Sequence, residues 1–216
     1  MDILFLLFHL HFTICEDKIM EKISSKFIEF FVSNDFIKNE DKEIYKYALN
    51  IILSSLIHIA TVMILGLCFN LLIESLVYYF AFIIIRKFAG GYHAKTPSKC
   101  YVFSLIAMIS VLWLIKIFLF FHCGIIRQII ILIGLICVFI ICVIAPLDTD
   151  NKLLNNKEKN IYRGVAIIIA LVLLVISDTL FLFGFINIAI SVLFGIYVST
   201  LLLVIRKIQM KRIRTF

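Results

Sequence analysis

Between Tyr47 and Ile205 this chain is a succession of apolar runs of bilayer length, separated by short charged segments. From Tyr47 to Ile85 only Glu74 carries a charge, and further runs cover residues 101–121, 125–146, 162–177 and 180–205. A helix needs about 20 residues to cross roughly 30 Å of hydrocarbon. It also satisfies its own backbone N–H and C=O groups, which hydrocarbon requires. The pattern therefore predicts an all-α membrane protein, a polytopic helical bundle. With 63% hydrophobic and 16% charged residues, an ordinary soluble domain is excluded.

The stretch 47–85 is nearly twice one span, so it reads as a helical hairpin with its tip near Asn70 to Ser75. Its second arm is short enough to be tilted or re-entrant. With the four later spans this makes about six crossings, and both termini fall on one side. All but Lys116 and Arg127 of the 21 Lys and Arg residues lie in 16–46, 86–99, 148–163 and 206–214. Those segments share a side in the six-crossing arrangement, and clustered positive charge marks the cytoplasmic side. The net charge of +7 thus reports membrane orientation; nucleic acid is not an expected partner. Residues 1–216 read as a single membrane domain.

Residues 1–15 form an apolar extension, too short to span; with no basic n-region ahead of it and no small-residue cleavage site, a signal peptide is not expected. Met20 is a candidate alternative start. Within 16–46, Ile19, Ile23, Phe27, Phe30 and Phe31 recur at helical spacing among Lys18, Glu21, Lys22 and Glu29. The reading is an amphipathic cytoplasmic helix, lying in the interface or packed on the bundle's cytoplasmic end. Residues 206–216 read as a basic tail.

Polar chemistry is concentrated in the loop 86–100. His93 and Cys100 stand seven residues apart there, among Arg86, Lys87, Lys95 and Lys99. A thiol becomes a nucleophile when an imidazole takes its proton and positive surroundings favour the thiolate. On one continuous helix seven residues put the two groups about 10.5 Å apart, too far for proton transfer at roughly 3 Å. A working pair needs a broken backbone, which Gly90–Gly91 and Pro97 can supply. Cys100 is then expected at the cytoplasmic start of the next helix, where the helix N-terminus further favours a thiolate. No residue obviously orients His93; Asp148 and Asp150 are the candidates. The six cysteines show no CxxC pair and no metal-ligand spacing, so neither a metal nor another cofactor is expected. His9, His11, His58 and His122 read as interfacial or packing residues. Lys116, inside a span about four turns from the helix start, is expected to pair with Glu74 or Asp178.

The run Arg86-Lys-Phe-Ala-Gly-Gly-Tyr-His93-Ala, followed by Cys100, resembles the core motif of the AgrB (accessory gene regulator B) family. These are bacterial membrane cysteine endopeptidases that process quorum-sensing peptide precursors of the AgrD type. Ala145-Pro146-Leu147-Asp148, followed by Asn151-Lys152, is similar to a second element of that family. The resemblance implies that His93 and Cys100 are the catalytic pair, supported by Arg86 and Gly91. It implies an AgrD-like precursor as substrate, a homodimer, and a bacterial cytoplasmic membrane location with the site facing the cytoplasm. Cleavage through a Cys100 thioester and ring closure to a thiolactone or lactone would follow. The precursors carry an acidic-rich C-terminal tail, which would suit the basic loops and make Lys87, Lys95 and Lys99 binding residues. The extension 1–15 departs from the family's pattern. A small polytopic transporter, suggested by Lys116 and Glu74, is the competing reading, although no paired half-helices or duplicated pattern support it. A membrane scaffold comes third, and it gives no reason for a glycine-hinged His/Cys loop.

Overall fold

The computed structural model describes residues 22–34, 36–91, 97–120, 124–147 and 155–214. Among them the regular structure is helical: α1 over residues 22–33, a 3-10 turn at Asn39–Asp41, then α2 (Lys42–Cys68), α3 (Leu72–Ala89), α4 (Pro97–Phe120), α5 (Gly124–Ile144), α6 (Asn156–Leu182) and α7 (Ile186–Arg214). Five helical stretches are long and apolar enough to cross a membrane, in α2, α4, α5, α6 and α7. The sixth expected crossing is α3, whose 18 residues carry Glu74 at the start and Arg86 and Lys87 at the end. At 1.5 Å per residue it is about 27 Å long, close to one hydrocarbon thickness, and it is the short hairpin arm anticipated above.

The chain divides into two compact units, Met1–Thr61 with Ala94–Leu105 and Val62–His93 with Ile106–Phe216. In the first, the segment expected to be one amphipathic helix over 16–46 is broken. α1 stops where the Asn34 side-chain amide and backbone N–H both donate to the Phe30 carbonyl, and α2 begins afresh at Lys42. Ser24 and Ile28, four apart, are buried. Ile23, Phe27, Phe30 and Phe31 are exposed beside Lys22, Lys26 and Glu29, the arrangement of an interfacial helix. The Tyr101 hydroxyl lies 2.7 Å from Thr61 Oγ1, and the His58 ring sits 5.0 Å from the Tyr101 ring. His58 is thus a packing residue between α2 and the first turns of α4.

In the second unit α3 packs on α6 and α7, and α5 packs on the same two helices. Small residues let α3 and α7 approach closely. A Cβ on Gly195 would fall 2.6 Å from Ala81 Cβ, and Ser199 Oγ donates to the Phe82 carbonyl across the contact at 3.2 Å. Ile85, Ile141, Leu193, Ile196 and Leu203 are fully buried there.

Two helix ends in this unit follow one stereochemical rule. After α2, Asn70 takes φ 55°, and Leu71 N–H and Asn70 N–H bond back to the Gly66 and Leu67 carbonyls. After α6, Gly184 takes φ 84°, and Phe185 N–H and Gly184 N–H bond to the Leu180 and Phe181 carbonyls. Both are Schellman stops, with the left-handed residue just past the helix. The second lies at 183–185 instead of the expected break after residue 177. Asp178 and Thr179 do not break the helix, because Thr179 Oγ1 bonds back to the Ile176 carbonyl. Ser177 Oγ donates to the Ala189 carbonyl of α7. The expected basic tail is likewise helical, as α7 runs to Arg214.

Gly195→Ala should lower the thermal midpoint in detergent, overpacking of this kind costing about 1–3 kcal/mol. Gly164→Ala, where a Cβ meets nothing within 4 Å, should leave it unchanged or raise it. Equal midpoints for the two variants would remove the close α3–α7 approach as a stability determinant.

Candidate functional site

The motif begins in the last turn of α3. Arg86 lies over the Phe82 ring at 5.5 Å and Lys87 over the Phe88 ring at 5.6 Å. Phe88 in turn meets Tyr162 of α6, with ring centroids 5.8 Å apart. Gly90 N–H still bonds to the Arg86 carbonyl at 3.0 Å, but its φ of 75° ends the helix. Gly91 follows at φ 144°. These are conformations that L side chains rarely adopt, so the glycine pair breaks the backbone where the sequence expects it.

A second segment packs directly on this break. α5 ends at Ile144, and Ala145–Pro146, joined by a cis peptide, leads to Leu147. The Leu147 N–H donates to the Ala89 carbonyl at 3.2 Å. A Cβ on Gly90 would lie 2.7 Å from the Leu147 carbonyl oxygen, whereas one on Gly91 would meet only Leu202 at 3.8 Å. Gly90 is therefore the position with no room for a side chain, while Gly91 has ordinary contact distances around it. At the end of α5, the Cys142 carbonyl accepts from Arg163 Nε at 3.1 Å and Nη2 at 2.7 Å. In the sequence Arg163 is only one positive charge of the basic segment 148–163.

Chain resumes as helix at Pro97, which puts Cys100 in the first turn of α4. His93 and Lys95 lie outside the described residues, as do Asp148 and Asp150; the side chains of Lys99 and Cys100 do as well. The His93–Cys100 pairing is thus a matter of sequence, and the described geometry covers what leads into it. Among the described residues no group of three or more His, Cys, Asp or Glu side chains is placed to hold a metal.

Lys116 departs from expectation. Its Nζ lies over the Phe69 ring at 5.3 Å, and Phe69 meets Trp113 edge-on at 6.0 Å. The residue is one turn from the C-terminal end of α4, beside the α2–α3 turn, where its chain reaches the helix end. Glu74, the partner anticipated for it, is instead 3.4 Å from Asn187 Nδ2 in the first turn of α7. An aromatic face, met at the end of a helix, replaces the intramembrane ion pair.

The sequence matches the family model described as Accessory gene regulator B over residues 24–205. It is similar to a Putative AgrB-like protein 2 of Clostridium perfringens (strain 13 / Type A), 33% identical over 65% of this chain and 66% of that protein. An Accessory gene regulator protein B of Staphylococcus carnosus is 28% identical over 61% of this chain and 66% of its own length. Protein FsrB of Enterococcus faecalis is 26% identical over 73% of this chain and 62% of its own. The chain spans a little under two thirds of the length of these relatives. No solved structure matches.

Gly90→Ala should destabilise the chain by more than the roughly 1–2 kcal/mol of left-handed strain alone, because the Leu147 carbonyl must also move. Gly91→Ala should cost only the strain. Thermal midpoints of the two variants in detergent test this, and a larger loss at Gly91 would contradict it.

Proposed function

Since the chain belongs to the accessory gene regulator B family, we propose that it is a membrane-embedded cysteine endopeptidase. Its substrate is a quorum-sensing precursor of the AgrD type, from which it removes the C-terminal tail. The observation that carries this reading is the interrupted backbone between α3 and α4. A continuous helix would hold residues 93 and 100 about 10.5 Å apart. Here α3 stops at Gly90 and α4 restarts at Pro97, with His93 between them in the chain and Cys100 in α4's first turn.

The chemistry follows from those two groups. His93 accepts the Cys100 thiol proton, and the thiolate attacks the carbonyl of the scissile peptide bond. The tetrahedral adduct collapses to a Cys100 thioester as the tail's amine leaves with the proton held by His93. A thiol or hydroxyl within the precursor then attacks the thioester, closing a thiolactone or lactone ring and returning the Cys100 thiolate. Exchange of one thioester for another is nearly balanced, so ring closure competes well only where water is scarce. The helix N-terminus favours the thiolate.

Arg86, Lys87, Lys95 and Lys99 supply positive charge for an acidic tail. The Arg86 guanidinium lies over the Phe82 ring, and its role is to meet the tail or the developing oxyanion. The exposed apolar side of α1, Ile23, Phe27, Phe30 and Phe31, suits an amphipathic precursor helix lying on the same leaflet. The site faces the cytoplasm on the charge distribution, and a homodimer belongs to the same family-based reading. The competing transporter reading loses support, since Lys116 rests on Phe69 at a helix end.

Co-expression with an AgrD-type precursor peptide, read by mass, tests the proposal. Cys100→Ala, Cys100→Ser and His93→Ala should each reduce processing to background, while Cys137→Ala should leave it intact. Processing that survives Cys100→Ala would end the peptidase reading.

A further inference from the structure

In a regular helix each carbonyl accepts the N–H four residues further on. For Cys142, in the last turn of α5, that residue is Pro146, which has no N–H. The carbonyl is left open at a helix end, where some other donor must serve it. Arg163 does so from the beginning of α6, with Nε and Nη2 both directed at the one oxygen, at 3.1 and 2.7 Å. Just past the proline, the Leu147 N–H holds the Ala89 carbonyl and the Leu147 oxygen occupies the space that a side chain on Gly90 would need. One continuous series of contacts thus runs from Arg163 through the end of α5 to Ala89–Gly90, where α3 stops three residues before His93 in the sequence.

Resting on the peptidase reading above, we propose that Arg163 is a positioning residue: by closing the carbonyl that Pro146 leaves open, it fixes Ala145–Pro146–Leu147 against Ala89–Gly90 and so sets the course of the chain into His93. Its charge would otherwise class it with Lys152, Lys157 and Lys159 as a docking point for an acidic tail. The geometry separates it from them. A carboxylate is best gripped by two parallel donors of the guanidinium fork; here the Nε–Nη2 edge is committed to a backbone oxygen, which leaves only the Nη1–Nη2 edge. Arg163 should therefore influence turnover, where a tail contact would influence binding.

The test uses the full chain reconstituted in lipid vesicles with an AgrD-type precursor peptide, initial rates being measured over a range of peptide concentration. Misplacement of a reacting group by about 1 Å can cost as much as a hundredfold in rate. Arg163→Ala is accordingly expected to lower kcat about tenfold or more, with KM within about twofold. Arg163→Lys keeps the charge but loses the fork; it should lower kcat about threefold or more while leaving the thermal midpoint in place. If Arg163→Ala does not insert, Arg163→Lys decides the matter alone. A raised KM with unchanged kcat, or wild-type kcat in Arg163→Lys, would overturn the proposal. Cys100→Ala is run in parallel: activity surviving there removes the peptidase reading and this inference with it. Loss there, together with wild-type kinetics for Arg163→Lys, removes the inference only.

Discussion

A helix can stop in or beside hydrocarbon only where other protein groups take over the backbone hydrogen bonds that it leaves open. The described helix ends meet this demand in two ways. After α2 and α6 the stop is self-contained, with Asn70 and Gly184 in left-handed conformations letting the next N–H groups fold back on the helix's own carbonyls. After α3 and α5 the stop depends on other parts of the chain. The Ala89 carbonyl receives an N–H from Leu147, and the Cys142 carbonyl receives the donors of Arg163. The two ends that cannot satisfy themselves are joined to each other, and the segment carrying the motif leaves from that junction.

This arrangement has a chemical consequence. A nucleophile and a base supplied by one short loop need a backbone that departs from the helix and yet holds one course. Freedom comes from Gly90 and Gly91, and restraint from Leu147 on one side and Leu202 on the other. Further packing in the same unit comes from Phe88 against Tyr162.

Much of the fold could be read from hydropathy, because the hydrocarbon constraint acts on long stretches and tolerates local detail. The hairpin, the later spans and the helix break at Gly90–Gly91 all followed from run length and from the permissiveness of glycine. Boundaries set by hydrogen bonding were harder. Ser177, Asp178 and Thr179 look like a turn in sequence, but Ser and Thr hydroxyls bond helix carbonyls and let the helix continue. Lys116 seemed to call for a carboxylate because ring faces as partners leave no mark in a charge pattern. Arg163 was missed for a similar reason, since its partner is a backbone oxygen on another helix. A signal did exist: Pro146 four residues after Cys142 marks a carbonyl in need of a donor. The His93–Cys100 pair rests on the motif and its family.

The covalent step is the most direct point of attack. The full chain, mixed with a precursor whose internal thiol or hydroxyl has been replaced by alanine, should accumulate as an acyl-enzyme. Its intact mass should rise by that of the tail-less precursor, less one water. The added mass should map to Cys100, and hydroxylamine should release it, as it does thioesters. Tail release with no adduct on the protein, or an adduct mapping to another residue, would contradict a mechanism built on that sulfur.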